Sequence, residues 1–162
     1  MPDMTESDRP RIVIDTNILV ASAYSRASAS GRIVDAVERG EFQLVLSPDI
    51  QREYERIIPR AVRTPGQVGR LEAIIAAGLQ VSPSANPPVT EDREDDKFLA
   101  AAFAGSAKWV ITNDPHLLKA DGCRGLRVVR PSSFEELRRS VGDDTPGSDS
   151  KESLDRASNT AG

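Results

Sequence analysis

Cysteine and histidine are nearly missing from this chain: Cys123 and His116 each stand alone. One thiol cannot build a disulfide framework, and the expected compartment is a reducing one. One imidazole and one thiol leave no paired soft ligands for a zinc site. Aromatic residues are sparse, at 4%. No stretch approaches the roughly 18 consecutive apolar residues of a membrane span. The opening MPDMTESDRP is polar and acidic and lacks the apolar core of a signal peptide. The expectation from these absences is a cytoplasmic protein with no membrane contact.

What is present fits one folded domain. A chain of 162 residues, 38% hydrophobic and 28% charged, is long enough to bury a core. The net charge of −4 is unevenly placed. Residues 141–162 hold Asp143, Asp144, Asp149, Glu152 and Asp155 against Lys151 and Arg156, which leaves the rest of the chain close to neutral. A neutral core does not advertise nucleic-acid binding, though segregated charge would still permit it. We expect a disordered lead over 1–10, a domain over 11–140 and a disordered acidic and polar tail over 141–162.

The domain is organised around RIVIDTN, residues 11–17. A short β-branched run ending in a carboxylate reads as a buried parallel strand whose last residue, Asp15, sits at the sheet's carboxyl edge. Ligands collect at that edge where the chain reverses direction across an open sheet. Thr16 or Asn17 is placed to cap the helix that follows. The spacing predicts strands over 11–15, 42–46, 79–81, 109–111 and 126–129. Helices are predicted over 16–24, 31–39, 48–58 or somewhat longer, 67–77, 94–105, 115–120 and 133–139. Ser47-Pro48 is a start signal, Gly40 a stop, and Pro59 should kink or end the third helix. In the fifth helix Phe98, Leu99, Ala102 and Phe103 should point inward. Alternating strands and helices imply an α/β fold, a parallel sheet with helices on both faces.

Two strands share a plan. IVIDTN and WVITND each run from apolar residues into an acid beside Thr and Asn. If they are neighbours at the switch point, Asp15 and Asp114 face one another. Glu53 lies about one and a half turns into the helix after the second strand. Asp95 and Asp96 open the helix before the fourth, within EDREDD, which also holds Asp92. Each acid alone has an ordinary account as a helix cap, a turn residue or a solvated face; their convergence on one edge is what points to chemistry. Close carboxylates repel unless a cation neutralises them, and an all-oxygen set favours Mg²⁺ or Mn²⁺. One or two such ions support hydrolysis of a phosphoester.

The ordered set RIVIDTNILVAS, LVLSPDIQREYERII, EDREDDKFLAAAFAG and WVITNDPHLL, followed by RVVRPSSFEEL, resembles the PIN-domain nucleases. More narrowly, it resembles the VapC-like toxins of bacterial toxin–antitoxin modules. The resemblance covers about residues 11–118. It implies a three-layer α/β/α sandwich with about five parallel strands in the order 3-2-1-4-5. It also implies that Asp15, Glu53, Asp96 and Asp114 form the acidic quartet that binds Mg²⁺ or Mn²⁺ in RNA hydrolysis. Asn17 and Thr112 match supporting polar positions, and Asp92 and Asp95 lie at the rim. By the same resemblance the partners are an RNA substrate, an antitoxin that covers the cleft, and a second copy in a homodimer.

RNA must also be held. Arg52, Arg56, Arg60 and Arg63 follow helical spacing and would form one basic stripe near Glu53 if the helix survives Pro59. The competing account is a solvated face paired with Glu55. Arg26, with Ser28 and Ser30, is a second candidate contact. His116 reads as a surface turn residue, and Cys123 has no assigned role. Three rival readings remain: a PIN-like module that binds RNA or a partner without cutting, a haloacid-dehalogenase-type phosphatase, and a phosphoacceptor receiver domain. The phosphatase would want a second acid where Asn17 stands, and the receiver's order of acids and lysine does not fit.

Overall fold

The computed structural model describes residues 9–83 and 93–143, with nothing described of the side chains of 93–96 and 141–143. Most of the expected lead, the loop that carries Asp92, and the tail beyond 143 lie outside the described residues, as do the side chains of Asp95 and Asp96.

The chain alternates strand and helix as its sequence periodicity dictates. It begins with β1 (Arg11–Ile14), α1 (Thr16–Tyr24), α2 (Ala29–Glu38) and β2 (Gln43–Leu46). There follow α3 (Pro48–Ala61), α4 (Pro65–Ala76), β3 (Leu79–Gln80) and α5 (Arg93–Ala104). It ends with β4 (Trp109–Ile111), α6 (Pro115–Leu118), a short 3₁₀ turn at Cys123–Gly125, β5 (Arg127–Val129) and α7 (Pro131–Asp143). All strand pairs are parallel, and the order is β3-β2-β1-β4-β5. The chain therefore moves outward in one direction through β3, then returns past β1 to lay down β4 and β5. The switch point falls between β1 and β4.

Both faces of the central strands are covered, which explains their continuous apolar runs. Ile12, Val13, Ile14, Val45, Leu46, Val110 and Ile111 have no exposed surface. Helices pack α1 on α2, α2 on α7, and α3 on both α4 and α5. Several send an i, i+4 apolar stripe inward, such as Ile50, Tyr54 and Ile58 from α3. Three of the seven aromatics, Phe42, Trp109 and Phe134, cluster at the amino end of the sheet. The Phe134 ring stands 5.1 Å from Trp109, edge-on, and 5.3 Å from Phe42.

Local chemistry moves several predicted boundaries. Ser28 accepts the Gly31 N–H at 3.1 Å, so α2 starts within the small-residue stretch, ahead of residue 31. Pro59 does not stop α3. It removes one N–H near the helix end, and the helix runs on to Ala61, with Val62 N–H still bonded to Ile58 O at 2.9 Å. Gly40 (φ +87°) ends α2 as expected, in the left-handed conformation that favours glycine. On α5 it is Ala101, not Phe103, that is fully buried beside Phe98, Leu99 and Ala102. Phe103 lies partly exposed beneath the Arg124 guanidinium, 5.0 Å from its ring.

Candidate active site

The switch point builds its polar centre from two strand ends. Ile14 pairs with Ile111, so the residue opposite Asp15 is Thr112, and Asp15 N–H continues the ladder to Ile111 O at 3.0 Å. The Thr112 hydroxyl, fully buried, donates to Asp15 Oδ2 at 2.6 Å and accepts the Asp114 N–H at 2.9 Å. One threonine thus ties both strand ends together and holds both acids. Asp114 lies two residues beyond the position facing Asp15 rather than at it.

The two aspartates are also helix caps. Asp15, rather than Thr16 or Asn17, is the N-cap of α1: its Oδ1 accepts the Asn17 N–H at 3.4 Å. Asp114 caps α6 in the same way, its Oδ1 accepting the His116 N–H at 2.9 Å. The cap orients each carboxylate and places it at a helix N-terminus, where the backbone dipole favours negative charge. The capping account and the site account therefore describe the same side chains.

Glu53 arrives from α3. Its neighbour Tyr54 anchors that helix, donating its buried hydroxyl to Ile14 O at the end of β1. Glu53 Oε2 accepts from the Thr16 hydroxyl, and Lys97 Nζ of α5 lies 2.6 Å from Oε1. That contact brings the N-terminal part of α5, which carries Asp96, to the same edge.

Electrostatics ties the described acids together. Asp15 is 7% exposed. Burial raises its carboxyl above the ordinary range; Thr112 and the Asn17 N–H oppose the rise, and the charges of Glu53 and Asp114 reinforce it. Burial likewise pushes the Tyr54 phenol well up, with Asp15 and Glu53 adding to it. Among the described residues no three His, Cys, Asp or Glu side chains gather closely enough to hold a metal ion. The donor set is nevertheless oxygen only, and the unrelieved charge at Asp15 suits a hard divalent cation.

The remaining candidates divide. Arg52, Arg56 and Arg60 all lie exposed on α3, which does continue past Pro59; Arg63 is exposed just beyond the helix. Arg52 pairs with Asp49. Arg26 pairs with Asp35 at 2.9 Å, and Ser28 caps α2. Asn17 and His116 are exposed. Sequence patterning does not single out Tyr54 or Lys97, nor Thr16 as a partner of Glu53. Tyr54 does carry a signal in the Ile50, Tyr54, Ile58 spacing; the reach of Lys97 carries none.

A family profile described as PIN domain matches residues 11–116. The chain belongs to the PIN-domain family. The matched span takes in Asp15, Glu53, Asp96, Thr112 and Asp114 and stops before β5. An uncharacterised protein of Methanocaldococcus jannaschii is 28% identical over 119 residues, covering 70% of this chain and 76% of that one. The crystal structure of VapBC2 from Rickettsia felis, bound to a DNA fragment from its promoter, superposes with a TM-score of 0.49 at 12% identity. It covers 73% of this chain and 96% of that one; a likeness of that size says nothing of function. Among the described residues, no helix of this PIN domain is long and apolar enough to cross a membrane.

Proposed function

We propose that this PIN domain is a divalent-metal-dependent endoribonuclease, the toxin of a toxin–antitoxin module. The observation that carries the nuclease reading is Asp15: a buried carboxylate at the switch point, bonded to Thr112 and repelled by Glu53 and Asp114. The toxin reading rests on the order and spacing of the four motifs alone, as do the antitoxin partner and the homodimer.

Asp15, Glu53, Asp96 and Asp114 are the residues that would hold Mg²⁺ or Mn²⁺. The ion would stabilise charge on the phosphodiester oxygens and make water a better nucleophile at neutral pH. The chain's own part is positioning. Thr112 and the two caps fix Asp15 and Asp114 before substrate arrives. Arg52, Arg56 and Arg60, exposed on the helix that supplies Glu53, would hold RNA phosphates alongside.

The pairing of Glu53 with Lys97 favours a second reading, a module that holds RNA without cutting it. Incubation of purified protein with a mixed RNA pool in Mn²⁺, Mg²⁺ or EDTA separates the two. The nuclease predicts metal-dependent cutting, lost in Asp15→Asn and Asp96→Asn variants that fold. Binding without cutting, equal in wild type and variants, would establish the second reading.

A further inference from the structure

The acidic edge already contains a cation. Lys97 Nζ lies 2.6 Å from Glu53 Oε1, with the two side chains only 13% and 15% exposed. Glu53 Oε2 takes the Thr16 hydroxyl. Both oxygens of Glu53 are thus engaged, and its charge is neutralised by a group the chain itself supplies. Asp15 and Asp114 differ: their described contacts are with neutral donors, a hydroxyl and backbone N–H groups.

From this asymmetry we infer that Lys97 is the site's resident cation, occupying at Glu53 the place a second divalent ion would otherwise take. The PIN domain then accepts one ion, on the side of Asp15 and Asp114. The inference rests on the metal-nuclease reading above. Three physical features support it. An ammonium is a compact point charge on a flexible stem, able to sit where a small cation would. Lys97 is tethered to α5, so it surrenders no translational freedom on reaching Glu53, whereas a free ion does. The pair is mostly withdrawn from water, where removing one partner leaves the other charge uncompensated. A divalent ion bound directly to Glu53 would have to displace Lys97 and then lie beside its displaced charge.

The test is Mn²⁺ binding to the full chain, followed by electron paramagnetic resonance and calorimetry, without RNA. Wild type should bind one ion. Lys97→Met should bind a second ion, or the first more tightly by a factor on the order of ten. Lys97→Arg should keep the wild-type stoichiometry, and Lys97→Met with Glu53→Gln should lose the gain. Two ions in the wild type, or unchanged number and affinity in Lys97→Met, would overturn the inference and leave the nuclease reading standing. Failure of wild type and Lys97→Met alike to bind Mn²⁺ would overturn both. If Lys97→Met does not fold, Glu53→Gln alone decides. It should weaken Mn²⁺ binding less than Asp15→Asn does, and an equal loss would refute the role of Lys97.

Discussion

A carboxylate that burial and its neighbours hold above its ordinary pKa is a cost to the fold at neutral pH. Asp15 is in that position, and the cost is concentrated on a side chain that the proposed chemistry needs. Asp15→Asn should therefore stabilise the metal-free protein, by about 1 kcal/mol in urea titration, while lowering RNA cleavage by a factor on the order of 100 or more. A variant that lost activity and stability together would mean that Asp15 is chiefly a cap. The sequence makes Asp15 and Asp114 conspicuous because a strand-ending acid beside Thr and Asn is legible as a pattern. It leaves cap and site as rival accounts, whereas the structure lets them coexist: one oxygen of Asp15 caps α1 and the other takes the Thr112 hydroxyl. The partners of Glu53, Thr16 and Lys97, stay hidden for another reason. Helical spacing fixes where a side chain leaves the backbone, not where a flexible stem or a hydroxyl ends.

Among the elements, the strands are the most legible, since short apolar runs of β-branched residues admit few alternatives to a doubly covered sheet; their order follows only from the resemblance to the PIN family. Helix starts shift wherever a cap lies inside a stretch that reads as loop. Ser28 is the clearest case, and it has a neighbour with a sharper constraint. A Cβ built on Gly31 would fall 2.4 Å from the carbonyl oxygens of Ser25 and Arg26, so the first turn of α2 rests directly on the preceding backbone. Gly31→Ala should destabilise the protein by roughly 1–3 kcal/mol, seen as a lower midpoint in denaturant, even though alanine is the better helix former. An unchanged midpoint would show that the 25–28 segment yields without strain. Because that segment lies on the far side of α1 in sequence from Asp15, the variant should keep the metal response of the wild type.

Among the described residues, acid stability has two opposed contributions. Asp35 and Asp121 are raised by burial, but their partners outweigh this: Arg26 and Arg70 for the first, Arg127 with the Val128 and Gly122 N–H groups for the second. Both carboxyls lie below the ordinary range in the folded state, so their contribution is present above the unfolded value and lost as pH falls through the folded one. Asp15 runs the other way: the folded state gains stability as pH falls through its raised pKa toward the ordinary value. The metal-free protein should therefore hold or gain slightly in stability on mild acidification, then lose it below about pH 4. The mild gain should vanish in Asp15→Asn, and its persistence there would assign it to another group.

The sheet also separates its two ends by chemistry, and this has a practical consequence. The chain's single indole, Trp109, opens β4 within the aromatic cluster, with the Arg127 guanidinium 5.7 Å from its ring. Asp114 leaves the opposite end of the same strand. Fluorescence from this protein is thus a clean report of one event: it should change sharply when the core opens and stay nearly silent while Mn²⁺ is titrated into the acidic edge. In the proposed Mn²⁺ titrations the indole is therefore an internal control, able to tell a variant that fails to bind from one that has lost its fold.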